Sequence, residues 1–96
     1  MAAYIIGEIE ITDRIGYEEY RKVVAATIAQ YGGRHLVHGG AAIESLEGDW
    51  QPPRIVLLEF PSLEQAKRWY ESEEYRGPKA IRHRTATTKA ILVEGS

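Results

Sequence analysis

Between Arg54 and Tyr75 the hydrophobic pattern changes period without a break. Ile55 to Leu58 is apolar at every position, so period-two alternation fails and both faces of this predicted strand must be covered. Glu59 then puts a carboxylate at the end of the strand, where it is either ion-paired or poised for chemistry. Ser62 and Gln65 stand at capping-box spacing and open a predicted helix, with Leu63, Ala66, Trp69 and Tyr70 on or beside its buried stripe.

Tyr4 to Thr12 reads as a first strand, with Ile5, Gly7, Ile9 and Ile11 on one face and Tyr4, Ile6, Glu8 and Glu10 on the other. From about Gly16 the period becomes helical. Tyr17, Tyr20, Val24, Thr27, Ile28 and Tyr31 share a stripe, Glu18 and Glu19 are expected in the first turn, and Gly32 supplies the residue past the end. Arg34 to Glu47 predicts a long second strand with Gly39-Gly40 as a bulge or bend. The turn chemistry from Gly48 to Pro53 then brings Arg54 to Phe60 back antiparallel to it. Gly77-Pro78 is expected to interrupt the helix after a short turn from Glu73 to Arg76, with another turn beyond it and a last strand from about Thr87 to Glu94.

The order β-α-β-β-α-β predicts an α+β fold of the ferredoxin-like kind, one domain spanning residues 1–96. Both helices then cover one face of the sheet. The other face keeps Ile6, Ile55, Leu57, Ile91 and Val93, too much apolar surface to leave in water, so two sheets are expected to pack as a homodimer. A chain of 96 residues buries only about 60 to 65% of its unfolded surface, and self-association adds to that.

Composition narrows the function classes. A net charge of −2 offers no basic surplus for a phosphate backbone, so nucleic acid is not an expected partner. No apolar run approaches the roughly 20 residues of a membrane span, and no leader pattern opens the chain. The lack of cysteine removes thiolate chemistry and Cys-ligated metals, and it fits a reducing compartment; the expectation is a cytoplasmic protein.

Five segments carry a family resemblance: Tyr31-Gly32-Gly33-Arg34, Leu36-Val37-His38-Gly39-Gly40, Leu46-Glu47-Gly48-Asp49-Trp50, Glu59-Phe60-Pro61-Ser62 and Trp69-Tyr70-Glu71-Ser72-Glu73-Glu74-Tyr75. Together they resemble the domain of unknown function 1330 family of the dimeric α/β-barrel superfamily, over nearly the whole chain. The resemblance implies a barrel made from two sheets. It also points toward relatives that include cofactor-independent monooxygenases, lactone isomerases, dehalogenase-like enzymes and haem-degrading enzymes. The chain contains no Asn, a residue type that some haem-degrading and quinone-forming relatives use.

Strand parity supplies the candidate site. With strands one and three taken as parallel neighbours, Glu8 and Glu59 share a face and an end, Arg34 approaches Glu59, and Lys89 with the Arg82-His83-Arg84 segment approaches Glu8. Glu8, Arg34, His38, Glu59 and Arg82 are therefore expected to converge on one cavity, a polar mouth on an apolar barrel that suits a small carboxylate or aromatic ligand. Arg34 and Glu59 alternatively form a plain cross-strand ion pair.

His35 and His38 are three apart on a predicted strand, so they are expected on opposite faces, and no metal site follows. His38 would share its face with Arg34 and Leu36 and act as a general base or ligand contact, with Glu59 the other candidate for moving a proton. His83 lies between two arginines that disfavour its charged form, which makes it a further candidate base. Trp69, Tyr70 and Tyr75 would stack on a planar ligand or simply fill the core. The glycine pairs lack the helix N-terminus that a phosphate loop requires.

Two function classes follow. One is a cofactor-independent enzyme acting on a small anionic or aromatic metabolite; the other is a non-catalytic dimeric module that binds a ligand or serves a structural role. No metal and no cofactor are expected in either.

Overall fold

The computed structural model describes residues 1–96. It contains β1 (Ala3–Ile11), α1 (Arg14–Gln30), β2 (Arg34–Val37), β3 (Ile55–Phe60), α2 (Leu63–Tyr70), α3 (Glu73–Thr85) and β4 (Ala86–Glu94). The strands form one sheet in the order β2-β3-β1-β4, and every neighbouring pair is antiparallel. This is the ferredoxin-like α+β arrangement, with the last helical segment divided into α2 and α3.

Strands one and three are thus antiparallel, not parallel as expected. α1 carries the chain back so that β2 runs in the direction of β1, and the loop after β2 reverses it into β3. Tyr4 consequently faces Glu59 and Glu8 faces Ile55, which sets the two carboxylates toward opposite ends of the sheet.

Asp13 starts α1 by accepting a hydrogen bond from the Gly16 amide at 3.1 Å, so the helix begins two residues earlier than its periodicity suggested. Glu18 and Glu19 accordingly lie beyond the first turn. The helix ends in a Schellman motif: the Gly33 amide reaches the Ile28 carbonyl at 3.0 Å and the Gly32 amide reaches Ala29 at 3.0 Å. Gly32 has a φ of 76°, which favours glycine there.

β2 is far shorter than the predicted strand to Glu47. Gly39 and Gly40 have φ of 90° and 78°, outside the extended region, and the ladder stops before them.

Ser62 caps α2 through the Gln65 amide, but the Gln65 side chain donates to the Tyr31 carbonyl at 3.2 Å instead of closing a capping box. Ser72 joins the two last helices, accepting from the Tyr75 amide at 3.1 Å and donating to the Trp69 carbonyl at 2.7 Å. α3 runs through Gly77-Pro78 instead of breaking there. Gly77 has no Cβ to meet the proline ring, the contact that normally drives a preceding residue out of helical geometry.

All three helices lie on one face of the sheet. Ile9, Leu58 and Phe60 meet Tyr17, Tyr20, Val24 and Ile28 of α1, Ala66 and Trp69 of α2, and Tyr75 of α3 in a single core. Fully burying Phe60 or Ile28 contributes about 1.5 to 3 kcal/mol each. The opposite face presents the row Leu57, Ile6 and Ile91 across β3, β1 and β4, and Ile91 is 61% exposed. No helix is long and apolar enough to cross a membrane.

Candidate functional site

On the helix side of the sheet, small residues leave room. Gly7 faces Ala90 across β1 and β4, and neither can fill the space below Tyr20, Trp69, Tyr75 and Arg82. The result is an inner chamber of about 40 Å³, with Thr88 also on its wall. It shares Ile9, Tyr20, Val56 and Leu58 with a groove of about 260 Å³ that opens between α1 and β2. Tyr17, Arg21, His35, His38 and Arg54 line that groove. Chamber and groove together are large enough for one small organic molecule.

Buried polar groups stand around the chamber, although the surface that it presents is almost wholly apolar. Arg82 is 6% exposed, yet no carboxylate lies within ion-pair distance; the three salt bridges of the protein are Glu18–Arg21, Arg34–Glu59 and Glu73–Arg76. Its Nε donates to the Tyr75 hydroxyl at 3.2 Å, and that hydroxyl lies 2.8 Å from the hydroxyl of Tyr20. Two phenolic protons serve one bond between them, so one O–H remains to donate elsewhere. The Thr88 hydroxyl is buried with no partner at all. Among the buried side-chain polar atoms only Thr88 Oγ1 lacks a partner, a cost in stability unless a ligand or water completes it; Arg82 has Tyr75 and, at 3.4 Å, His83 Nε2 beside it, but no anion.

Electrostatics keep these groups in their donor states. Burial pushes the Tyr20 phenol far above its ordinary value, with Tyr75 adding to the effect. Burial raises Tyr17 too, although Arg54, Arg21 and Arg82 pull the other way. Burial also opposes the charge on Arg82, but the oxygens of Tyr75, Tyr20 and Tyr70 outweigh it and hold the guanidinium charged. His35 is lowered by burial and then by His38, so a neutral imidazole stands in the groove at physiological pH.

The five residues expected to converge do not. Glu8, Arg34 and Glu59 belong to the open face, while His38 and Arg82 belong to the helix side. Arg34 Nε lies 2.8 Å from Glu59 Oε1, the plain ion-pair alternative. The hydrogen bond from Arg34 holds the Glu59 carboxyl below its ordinary range, which disfavours it as a base near neutral pH. Glu8 stands opposite Lys89 at the other end of the sheet.

His35 and His38 also depart from expectation. They stack with ring centroids 4.4 Å apart and planes 13° apart, on the same side. A register shift between His35 and Val37 adds a residue to β2 and so cancels the three-residue parity. His38 therefore does not share its face with Arg34.

Trp69 is 2% exposed, donates to Thr27 Oγ1 at 3.0 Å and stacks on Tyr75 at 4.0 Å, which makes it the back wall of the chamber. His83 lies outside on α3, its Nε2 3.4 Å from Arg82 Nη2, and its pKa is lowered by desolvation, then by Arg82 and Lys79.

Tyr17, Tyr20, Arg54 and Thr88 also line the site and were not expected in it, whereas Tyr75, expected against a planar ligand or in the core, belongs to both. Strand parity carried two residues back from Val56 would have found Arg54 on the helix side. The tyrosines read as core because their stripe is also the core stripe.

The family model for the domain of unknown function DUF1330 matches residues 2–96. The chain belongs to that family. No curated protein matches its sequence. Among solved structures it is similar to the RPA0582 protein of unknown function from Rhodopseudomonas palustris, with 15% identity, a TM-score of 0.77, and coverage of 99% of this chain and 82% of that one. It is also similar to SnoaB, a cofactor-independent oxygenase from Streptomyces nogalater, with 12% identity, a TM-score of 0.70, and coverage of 99% and 93%. Rv0793 from Mycobacterium tuberculosis gives 14% identity, a TM-score of 0.60, and coverage of 100% and 96%. At these identities the likeness concerns the fold.

Proposed function

We propose that this member of the DUF1330 family is a cytoplasmic homodimer that binds a small organic anion with an aromatic or apolar body between its sheet and helices. It acts on that molecule as a cofactor-independent enzyme of monooxygenase or isomerase type. The observation that carries this reading is Arg82, a buried guanidinium beside a chamber with no carboxylate to balance it. A carboxylate or enolate oxygen would complete the array, accepting from Arg82, the spare phenolic proton and Thr88. In this reading His35, which lines the adjoining groove, takes a proton from such a ligand, and the oxyanion so formed is what the donors stabilise. The likeness in fold to a cofactor-independent oxygenase supports the choice of reaction class.

The homodimer uses the open face, where Leu57, Ile6 and Ile91 form an apolar row flanked by Glu59 and Glu8. A second reading, a module that binds without turnover, is favoured by the absence of any carboxylate in the groove, since His35 and His38 are then the only bases there.

Calorimetric titration with small aromatic and aliphatic carboxylic acids tests the proposal. Binding that Arg82→Gln weakens by about tenfold or more, in a protein with unchanged circular dichroism, is the expected result. Binding to the wild type that is indifferent to Arg82 would overturn it.

A further inference from the structure

The groove carries a second cationic group that the chamber does not use. Arg54 lies on the helix side one residue before β3, and its carbonyl accepts from the Ile9 amide at 2.9 Å. Ile9 in turn faces Thr88 on β4. Arg54, Ile9 and Thr88 therefore form a row across three adjacent strands. Two strand spacings separate its ends by about 10 Å at the backbone. Arg82 stands over the Thr88 end and Arg54 marks the other.

Several features keep Arg54 available. It forms no salt bridge. Its side chain lies against Gly39, where an added Cβ would come within 2.6 Å of Nη1, so the glycine gives the guanidinium its place at the mouth. Arg21 lines the same groove, and its bond to Glu18 is a 3.5 Å contact between exposed groups, of the kind worth little. Glu10 and Glu18 border the adjoining hollow together with Arg14, Arg21 and Arg54, but neither reaches Arg54. The floor between the two cationic ends is Ile9, Val56 and Leu58, which offers no polar partner to the middle of a ligand.

We infer that the ligand is a two-ended anion, a dicarboxylate with a flat apolar body, with one carboxylate held by Arg82 in the chamber and the other by Arg54 and Arg21 at the mouth. This deepens the reading above and rests on it. A single carboxylate would use one end only and leave the other cation without a partner. The second charge-assisted pair adds affinity, and its fixed distance from the first selects ligand length.

Matched acids test this by calorimetry on the full chain: benzoate against terephthalate, and naphthoate against naphthalenedicarboxylate. In the wild type the better-fitting diacid should bind about tenfold or more tightly than its monoacid partner. Arg54→Gln should abolish that advantage, whereas Arg82→Gln should weaken both acids. Equal affinities within both pairs, with monoacid binding intact, would overturn the two-ended ligand and leave the single-anion reading standing. An equal loss for monoacid and diacid in Arg54→Gln would also overturn it. No binding of any acid would sink both.

Discussion

Tyr20 and Tyr75, 55 residues apart, place their hydroxyl oxygens 2.8 Å from one another inside the protein, and Arg82 donates to the second of them. The pair ties α1 to α3 directly above the sheet. It also fixes Arg82 at the wall of a chamber that holds no counter-charge. Structural cohesion and the candidate binding chemistry thus depend on the same three side chains.

Removing either hydroxyl should therefore cost unequal amounts. Tyr20→Phe deletes one neutral hydrogen bond and leaves Tyr75 still bonded to Arg82, at a cost of about 1 kcal/mol. Tyr75→Phe strands both the Arg82 Nε and the Tyr20 hydroxyl in a buried setting, at about 2 to 3 kcal/mol. Urea unfolding of the two variants checks this. Equal losses would mean that Arg82 finds another acceptor.

Stability should fall as pH drops from about 7.5 to 5.5, through the range where an unperturbed imidazole takes up its proton. His35 has a pKa below its ordinary value of 6.5 because burial, and then His38, disfavours its charge. The unfolded chain binds the proton near 6.5 and the folded chain only at lower pH, so within that window the unfolded state holds more protons and gains on acidification. His35→Gln should flatten the slope seen by thermal melting, with His83→Gln as the control for the other lowered histidine. Glu59 acts in a separate window. Its folded pKa is depressed by Arg34, so its contribution is present above about 4.5 and is lost only as pH falls further.

The open face makes a prediction of its own. Leu57→Asp places a carboxylate in the apolar row with Ile6 and Ile91, beside Ile6, and no basic residue stands across from it. A homodimer joined there should dissociate at micromolar concentration, because the interface would have to bury an unpaired charge. Light scattering after size exclusion reports the mass. A wild type that is already monomeric would contradict the proposed assembly, and a dimeric Leu57→Asp would place the interface elsewhere.

Local chemistry made most of the fold legible. The apolar run from Ile55 to Leu58, the glycine after α1 and the serine before α2 each act through neighbours in sequence, and each marks its element correctly. Parity correctly separated the two faces of β1 and β3. The site was less legible because three facts that assemble it are not local. Strand direction depends on where α1 returns the chain, and that put Glu8 and Glu59 at opposite ends. The irregularity after His35 depends on pairing with β3, and it moved His38 to the helix side. Tyr75 and Arg82 are two helical turns apart and share a face only if α3 is continuous, so the break expected at Gly77-Pro78 hid their relation.

The same dipeptide yields the last prediction. Pro78 lies inside α3, where its missing N–H leaves the Glu74 carbonyl without its helical donor. Pro78→Ala restores that donor and should stabilise the protein by about 1 to 2 kcal/mol, after allowance for the freedom it returns to the unfolded chain. Gly77→Ala should behave differently depending on its neighbour. A Cβ at Gly77 meets nothing within 4 Å apart from its adjacent residues, so space around the helix does not oppose it. With Pro78 in place, however, the new Cβ meets the proline ring, and the usual gain from replacing a helical glycine is cancelled or reversed. In the Pro78→Ala background that obstacle is gone, and Gly77→Ala should add about 0.5 to 1 kcal/mol. Urea unfolding of the two single variants and the double variant measures the coupling between the sites. Strict additivity would show that Gly77 is not what lets the helix pass through Pro78.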